Sequence, residues 1–147
     1  MAEGGLELLA VHGVGEVRPG ADLAHQLTVA LGAPGAPGLR HGDVVVVTSK
    51  VVSKAEGRVV AIDADDAIAK VRLVESEAVR ILRRRGDLRI TETTHGFVCA
   101  NAGVDLSNVE EGTAVLLPVD ADRSARRLRA DLRRALGVEV GLSLIHI

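Results

Sequence analysis

A cluster of oxygen-bearing side chains closes the stretch of sequence between residues 94 and 108. Asp105, Ser107 and Asn108 stand within four positions, shortly after a turn that contains Gly103. Carboxylate and amide oxygens suit Mg²⁺ or Mn²⁺, and phosphate groups can complete the coordination shell. The same residue types also form Asx turns and helix caps. From the residues alone, Asp105 is a candidate ligand for a hard cation, and a purely structural turn is the alternative.

A second polar cluster follows the apolar run at residues 44–47, which is predicted to be a strand. If the next segment turns helical, Ser49 and Ser53 lie one turn apart, and so do Lys50 and Lys54. Hydroxyl, amide and ammonium groups would then converge, which suits a phosphate. The segment is not a Walker A loop, because it lacks the GxxxxGK[ST] pattern. The alternative is a solvated turn with ordinary surface lysines.

Three weaker candidates lie elsewhere in the chain. The glycine-containing turn at residues 12–15 would let the backbone approach a ligand, although one such turn is a weak signal. His95 could act as a general acid, but a histidine in a hairpin turn is more often solvated. Cys99 lies in an apolar predicted strand, so a core position is favoured over a nucleophile.

Strands and helices mix along the chain and must position these residues. Apolar spacings of three and four predict three helices. The first starts after Asp22, the second covers residues 63–85, and the third is capped by Asp120 or Asp122 and ends at Gly137. The run at 44–47 is predicted to be buried on both faces. Strands are predicted at residues 6–11, 44–47, 59–62, 88–93, 97–100, 113–117 and 138–141. The fold class is therefore α/β of a mixed α+β type, with three helices, a hairpin and a mixed parallel and antiparallel sheet.

Composition sets the broad class of protein. The 147 residues predict one domain, and with 47% apolar but only 1% aromatic residues the core must consist of aliphatic side chains. A net charge of −2 argues against nucleic acid as a partner. One cysteine fits a reducing cytoplasm, and no apolar run approaches the roughly 20 residues that span a bilayer. We expect a cytoplasmic protein that binds small molecules and neither nucleic acid nor membrane.

The last six residues, 142–147, differ from the rest of the chain. Leu-Ser-Leu-Ile-His-Ile is the translation of the end sequence of a transposon adaptor that is widely used for sequencing libraries. A strand is predicted to start at Val138 and would be interrupted there, although a native strand is the alternative. We therefore expect residues 1–141 to be the N-terminal portion of a larger domain and residues 142–147 to be a non-native tail.

Two longer blocks carry a family resemblance. Val-Thr-Ser-Lys-Val-Val-Ser-Lys-Ala-Glu-Gly-Arg spans residues 47–58, and Asn-Ala-Gly-Val-Asp-Leu-Ser-Asn spans residues 101–108. With weaker matches over nearly all of residues 8–141, the chain resembles the coenzyme F420:glutamate ligase family. The resemblance implies an incomplete part of a larger ligase fold. It also implies an enzyme that adds γ-linked L-glutamate to a deazaflavin precursor of coenzyme F420, uses GTP and Mg²⁺ or Mn²⁺, and forms a homodimer when complete.

The resemblance also implies roles for individual residues. The family's first nucleotide-binding loop falls on His12, Gly13, Val14 and Gly15. Its phosphate-binding residues fall on Ser49 and Lys54 with Lys50 between them, its nucleotide-contacting Asn on Asn108 and its metal-binding Asp on Asp105. The sequence departs from the family at Gly15, where many members have Pro. The family's Asp-Thr metal pair and Gly-Arg would lie beyond about Leu142, where the predicted strand is interrupted.

Three functions therefore compete. The leading one is a GTP-dependent ligase that forms amide bonds, present as a fragment that we expect to be inactive by itself. The second is a non-catalytic module that binds a nucleotide or a phosphate. The third is a small interaction domain, in which Ser49, Lys54 and Asp105 would be surface residues only.

Overall fold

The computed structural model describes residues 5–63, 66, 68–107 and 109–146, which form a mixed α/β fold. The helices are α1 (Leu23–Leu31), α2 (Ser49–Ala55), α3 (Ala69–Ser76) and α4 (Ala121–Leu136), with a 3₁₀ turn at Asn101–Gly103. The strands are β1 (Val44–Thr48), β2 (Val59–Ala61), β3 (Ala78–Arg85), β4 (Leu88–Thr93), β5 (Val98–Ala100), β6 (Thr113–Val115) and β7 (Gly141–Ile145). The predicted fold class is confirmed. A fourth helix arises because the Ser49–Ala55 segment is helical.

One half of the fold packs α1 and α4 against a parallel pair of strands. β1 pairs with β7 in the register Val44 to Gly141. Leu27 of α1, Val47 of β1 and Leu132 of α4 meet in one aliphatic cluster, and Leu132 is fully buried. Burial of aliphatic side chains of this size contributes roughly 1.5–3 kcal/mol each, which offsets the lack of aromatic residues.

The ends of α1 and α4 follow the capping rules that predicted them. Asp22 accepts a hydrogen bond from the backbone N–H of His25 at 2.9 Å, and Asp120 accepts one from that of Arg123 at 2.8 Å. Each cap satisfies an N–H that has no partner within its helix. α4 ends where Gly137 adopts φ of 70°, a left-handed conformation that glycine enters without strain.

The other half of the fold is antiparallel. β2 pairs with β6, and β3, β4 and β5 form a three-stranded sheet in sequence order. The hairpin predicted at His95-Gly96 joins β4 to β5 and is confirmed. A second aliphatic cluster, around Val74, Ala114 and Leu116, fills this half.

The predicted helix over residues 63–85 is wrong in its second half. The helix α3 ends at Ser76, and the residues from Ala78 onward form β3. Ile81 pairs with Thr91 of β4, and Val79 lies at an irregularity between the paired residues Ala78 and Arg80. Gly86, with φ of 57°, turns the chain back into β4. The backbone ladder to β4 therefore overrides the helical spacing, and Arg83 lies in a strand rather than at a helix end.

Several smaller expectations also fail. Residues 6–11 form no strand, and Leu6 and Leu8 are exposed. β1 is buried on one face only, since Val44 and Val46 are 62% and 53% exposed, so it follows the alternating pattern of a half-buried strand. The strand predicted at 138–141 begins at Gly141 instead and includes most of the suspected tail. The assignment of residues 142–147 to an adaptor stays a prediction.

No helix within the described part of the chain is both long and apolar enough to cross a membrane.

Candidate functional site

The helix α2 starts directly at the end of β1 and presents the polar cluster. Ser49 and Ser53 are buried on its inner side, with exposed fractions of 8% and 1%. Lys50 lies beside them and points toward the chain that follows the 3₁₀ turn. The helical spacing predicted for these residues is therefore confirmed.

Two residues of the 47–58 block hold α2 against the segment after β6. The Glu56 carboxylate accepts hydrogen bonds from the backbone N–H of Val119 at 3.3 Å and from the Ser124 hydroxyl. The Arg58 Nε donates to the carbonyl of Leu117 at 3.0 Å. These residues therefore position the helix, which gives a physical reason for their place in the block.

The turn at Asn101–Gly103 sets the position of Asp105. Its three residues have φ of 50°, 51° and 71°, although only the last is a glycine. Non-glycine residues rarely hold this conformation unless neighbouring structure fixes it. The fully buried Thr91 of β4 fixes it here, because its hydroxyl accepts from the N–H of Ala102 at 2.9 Å and donates to the carbonyl of Cys99 at 3.2 Å.

Gly103 is also required for close packing. A Cβ at this position would lie 2.7 Å from Cγ of Leu117, well inside van der Waals contact. The backbone of the turn therefore approaches the segment after β6 more closely than any larger residue allows.

Three oxygens converge on the ammonium group of Lys50. Nζ lies 2.6 Å from Oδ2 of Asp105, 2.7 Å from the carbonyl oxygen of Ser107 and 3.0 Å from Oγ of Ser107. The other carboxylate oxygen, Oδ1 of Asp105, accepts from both the N–H and the hydroxyl of Ser107 at 2.7 Å. A positive charge in an oxygen cage is thus the central feature of the site.

The cage changes the acidity of Asp105. Partial burial raises the pKa of this carboxyl, but the hydrogen bonds from Lys50 and Ser107 and the charge of Lys50 outweigh it and lower the pKa to about 2. Asp105 is therefore a carboxylate throughout the physiological pH range.

The cage opens onto a cleft of about 230 Å³ between α2, the 3₁₀ turn and the strands. Its polar lining includes Ser49, Lys50, Ser53 and Asp105, and Leu117 forms part of an apolar wall. The hydroxyl of Ser53 is buried and makes no hydrogen bond to any described residue. An unsatisfied buried hydroxyl is costly, so a polar ligand in the cleft would give it a partner.

The predicted site residues fall into three groups. Ser49, Lys50 and Asp105 line one cleft, as their assigned roles require. The turn at residues 12–15 and Lys54 are not among the residues that line this cleft. Asn108 lies outside the described residues. The nucleotide-binding roles of His12, Gly13, Val14, Gly15, Lys54 and Asn108 stay predictions, and so do the phosphate-binding roles of Ser49 and Lys50 and the metal-binding role of Asp105.

The cleft also contains residues to which the sequence assigned no role. Ser107 completes the cage, Gly103 forms the floor, and His146 lies with Nδ1 at 3.4 Å from the hydroxyl of Ser49. Ser107 belongs to the polar cluster and Ser53 lies one helical turn from Ser49, so both carried a signal in the sequence. Nothing in the sequence indicates that His146 lies beside them.

His95 and Cys99, two of the weaker candidates, lie outside the cleft in surroundings that suit structural roles. Nε2 of His95 lies 3.1 Å from the carbonyl of Val119, and its ring stacks on Phe97. Burial raises the pKa of the Cys99 thiol, a little offset by a hydrogen bond with the Gly103 backbone, so the neutral form is favoured. A raised pKa is unsuited to a nucleophilic cysteine.

The oxygen atoms around Lys50 could supply some, but not all, of the ligands of a hard cation. Asp105 and the two oxygens of Ser107 that face Lys50 are hard donors that already surround one positive charge. Among the described residues, no group of three or more His, Cys, Asp or Glu side chains could hold a metal ion alone. A site with one carboxylate suits Mg²⁺, which is commonly bound through one or two carboxylates plus substrate phosphates.

Fold and site together define a mixed α/β protein with a small cleft that is lined by the Lys50–Asp105 ion pair and two buried serines. The comparison with known families gives a specific membership. The family model described as F420-0:Gamma-glutamyl ligase matches residues 13–144, and the chain belongs to this family.

Curated relatives agree with that membership. The chain is 37% identical over 152 residues to the Coenzyme F420:L-glutamate ligase of Methanothermobacter thermautotrophicus, covering 94% of the chain and 60% of the relative. It is 40% identical over 158 residues to the protein of the same name from Methanopyrus kandleri, covering 95% and 60%. It is 36% identical over 120 residues to that of Methanocaldococcus jannaschii, covering 71% and 47%. The chain thus spans about 60% of the length of the first two relatives.

Proposed function

We propose that this chain provides the cation- and phosphate-binding part of a GTP-dependent ligase that joins L-glutamate through a γ-linkage to a coenzyme F420 precursor. The observation that carries the proposal is the oxygen cage around the Lys50 ammonium, which lies in a cleft beside two buried serine hydroxyls. Family membership adds the reaction class, because the relatives are named as ligases for L-glutamate.

In this proposal, Asp105 and Ser107 would hold Mg²⁺ or Mn²⁺, which supplies charge neutralisation for the GTP phosphates. Lys50 would leave the cage and turn its ammonium toward a phosphate oxygen. The hydroxyls of Ser49 and Ser53 would donate to the same group, which gives the unpaired Ser53 hydroxyl its missing partner. The role of these residues is to position the phosphates and balance their charge.

The chemistry that this arrangement would serve balances as follows. An oxygen of the acceptor carboxylate attacks the γ-phosphorus of GTP, and GDP leaves with the electron pair of the broken P–O bond. The amine of glutamate then attacks the acyl carbon, inorganic phosphate leaves, and the amine loses one proton. Phosphoryl transfer of this kind depends mainly on positioning and on charge neutralisation.

Calorimetric titration of the chain with GTP and Mn²⁺ tests the binding half of the proposal. Asp105→Asn should weaken Mn²⁺-dependent GTP binding by about tenfold or more, since it removes the one carboxylate of the cage. Asp87→Asn, in the exposed turn after β3, is the matched control and should bind as the parent does. Equal binding by both variants would remove Asp105 from the site.

Mass spectrometry of the deazaflavin precursor tests the reaction half. The precursor is incubated with GTP, Mn²⁺, L-glutamate and a longer protein that contains this chain, because we expect the chain by itself to be inactive. A mass increase of one glutamate residue that Asp105→Asn abolishes would support the ligase. Binding of GTP without any glutamate addition would favour the second candidate, a non-catalytic nucleotide- or phosphate-binding module. The observation that favours this second candidate is that the described part of the cleft contains a single carboxylate.

A further inference from the structure

The outer face of the β3–β4–β5 sheet carries a row of arginines. Residues paired across antiparallel strands lie on the same face of a sheet. The pairs Arg85 with Leu88, Arg83 with Ile90, and Arg80 with Glu92 therefore share one face. Thr91 and Thr93 point to the opposite, buried face. We call the surface formed by Arg80, Arg83 and Arg85 the arginine face.

The charges on the arginine face are only partly compensated. Arg80 pairs with Glu92 at 2.7 Å. Arg83 and Arg85 are exposed, and neither makes an ion pair within the described part of the chain. Glu75 is engaged with Arg84 and Arg89 on the other side of the sheet, at 3.5 and 3.8 Å.

Asp87 lies close to this surface in the chain, in the exposed turn that joins β3 to β4. Arg83 and Arg85 together carry two positive charges, so one positive charge remains even if Asp87 offsets one of them. This local excess stands out in a chain whose net charge is −2.

The spacing of these arginines suits an extended polyanion. Residues two apart on a strand are separated by about 6.6 Å, which is the separation expected for Arg83 and Arg85. An extended γ-glutamyl chain presents one carboxylate about every 6 Å, from standard bond lengths. Successive carboxylates of such a chain could therefore meet successive guanidinium groups.

The arginine face also lies within a limited distance of the cleft. Arg83 pairs with Ile90, and Ile90 pairs with Ala100 on the neighbouring strand, which places Arg83 about 10 Å from Ala100. Ala100 is followed by the turn Asn101–Gly103, and Gly103 lines the cleft. Three residues extend at most about 10 Å, so the Arg83 backbone lies within about 20 Å of the cleft.

We propose that the arginine face binds the acidic γ-glutamyl tail of an acceptor that already carries glutamate. This inference rests on the proposed function, because an enzyme that adds γ-linked glutamate would meet such a tail in its own product. The face would retain the tail by charge pairing with Arg83 and Arg85 while the growing end lies in the cleft.

Fluorescence anisotropy of a labelled tetra-γ-glutamate peptide tests the proposal without GTP, metal or turnover. The double substitution R83A with R85A should weaken binding about tenfold at low salt, since two exposed charge pairs are lost. Arg126→Ala is the matched control, because Arg126 is an exposed α4 arginine that makes no ion pair among the described residues. Added salt should weaken the binding of the parent protein.

The outcomes separate this inference from the proposed function. The R83A, R85A variant should retain Mn²⁺-dependent GTP binding. Failure of the parent protein to bind GTP, with peptide binding that R83A with R85A abolishes, would overturn the proposed function and support the arginine face. Equal peptide affinity of the R83A, R85A variant and Arg126→Ala would overturn the arginine face. Tighter binding of a single-stranded oligonucleotide than of the peptide, abolished by R83A with R85A, would assign the face to another partner and overturn the proposal.

Discussion

Substitution of Asp105 by Asn should remove a part of the folding free energy that depends on pH in a defined way. The pKa of this carboxyl falls from an ordinary 3.8 to about 2 in the folded protein. At about 1.4 kcal/mol for each pKa unit, this difference corresponds to roughly 2 kcal/mol. Since a quarter of the side chain is exposed, solvent screening reduces the expected contribution to about 1–2 kcal/mol.

The pH window follows from the direction of the shift. A carboxyl whose pKa is lower in the folded state stabilises the protein fully above its unfolded pKa of 3.8. The contribution is lost as the pH falls from about 4 to about 2, because the unfolded chain takes up the proton first. The stability of Asp105→Asn should therefore approach that of the parent only in this acidic range.

Urea denaturation at several pH values between 7 and 2.5 measures the effect. The free energy of unfolding of Asp105→Asn should lie about 1–2 kcal/mol below that of the parent at pH 7, and the gap should narrow below pH 4. Asp87→Asn, in the exposed turn after β3, serves as the control and should show a small gap at every pH. A gap for Asp105→Asn that is the same at pH 7 and pH 2.5 would refute the ion pair as its cause.

Three further substitutions test the architecture of the cleft. Thr91→Val should lower the free energy of unfolding in urea by about 2 kcal/mol, because it leaves the buried N–H of Ala102 unpaired. Thr28→Val is the control: the Thr28 hydroxyl donates only to a helix carbonyl, so the free energy of unfolding should change by less than about 0.5 kcal/mol. Gly103→Ala should lower the free energy of unfolding by about 2–4 kcal/mol, because it adds left-handed strain and a clash with Leu117. In a double-mutant cycle, Leu117→Val should restore part of this stability, and additive effects of the two substitutions would contradict the contact. Lys50→Met should bind Mn²⁺ several-fold more tightly without nucleotide and GTP more weakly, as measured by calorimetry; unchanged Mn²⁺ affinity would show that the ammonium does not compete for the cage.

Local signals in the sequence predict the elements whose ends are fixed by local chemistry. Asp22 and Asp120 cap their helices through contacts three residues away, and Gly137 ends α4 by its own conformation. The error at residues 63–85 has a different origin. Whether Ile81 and Arg83 belong to a helix or a strand is decided by pairing with β4, which depends on the turn at Gly86 and not on the spacing of apolar residues.

In the candidate site, too, local signals predict the residue types, whereas the contacts between the residues depend on the tertiary fold. Ser49, Lys50 and Asp105 could be chosen from the sequence because their residue types suit phosphate or a cation. Their meeting could not be derived from local rules, since Lys50 contacts Ser107 across 57 positions of sequence. The hydrogen bond between Thr91 and the 3₁₀ turn likewise depends on β4, which lies outside the polar cluster in the sequence.

Lys50 connects the two ligands that the cleft is proposed to bind. While Lys50 occupies the cage, partial burial is outweighed by the hydrogen bonds from Lys50 and Ser107 and by the charge of Lys50, which hold the pKa of the Asp105 carboxyl at about 2. In the proposed function, release of the ammonium would leave a carboxylate with two adjacent oxygens for a divalent cation. It would also free a positive charge in the cleft that Ser49 and Ser53 line. Cation binding would thus create the site for phosphate, and by linkage phosphate binding would favour the cation to the same degree. Because one side chain serves both sites in turn, the coupling needs no movement of the backbone that Thr91 and Gly103 hold in place.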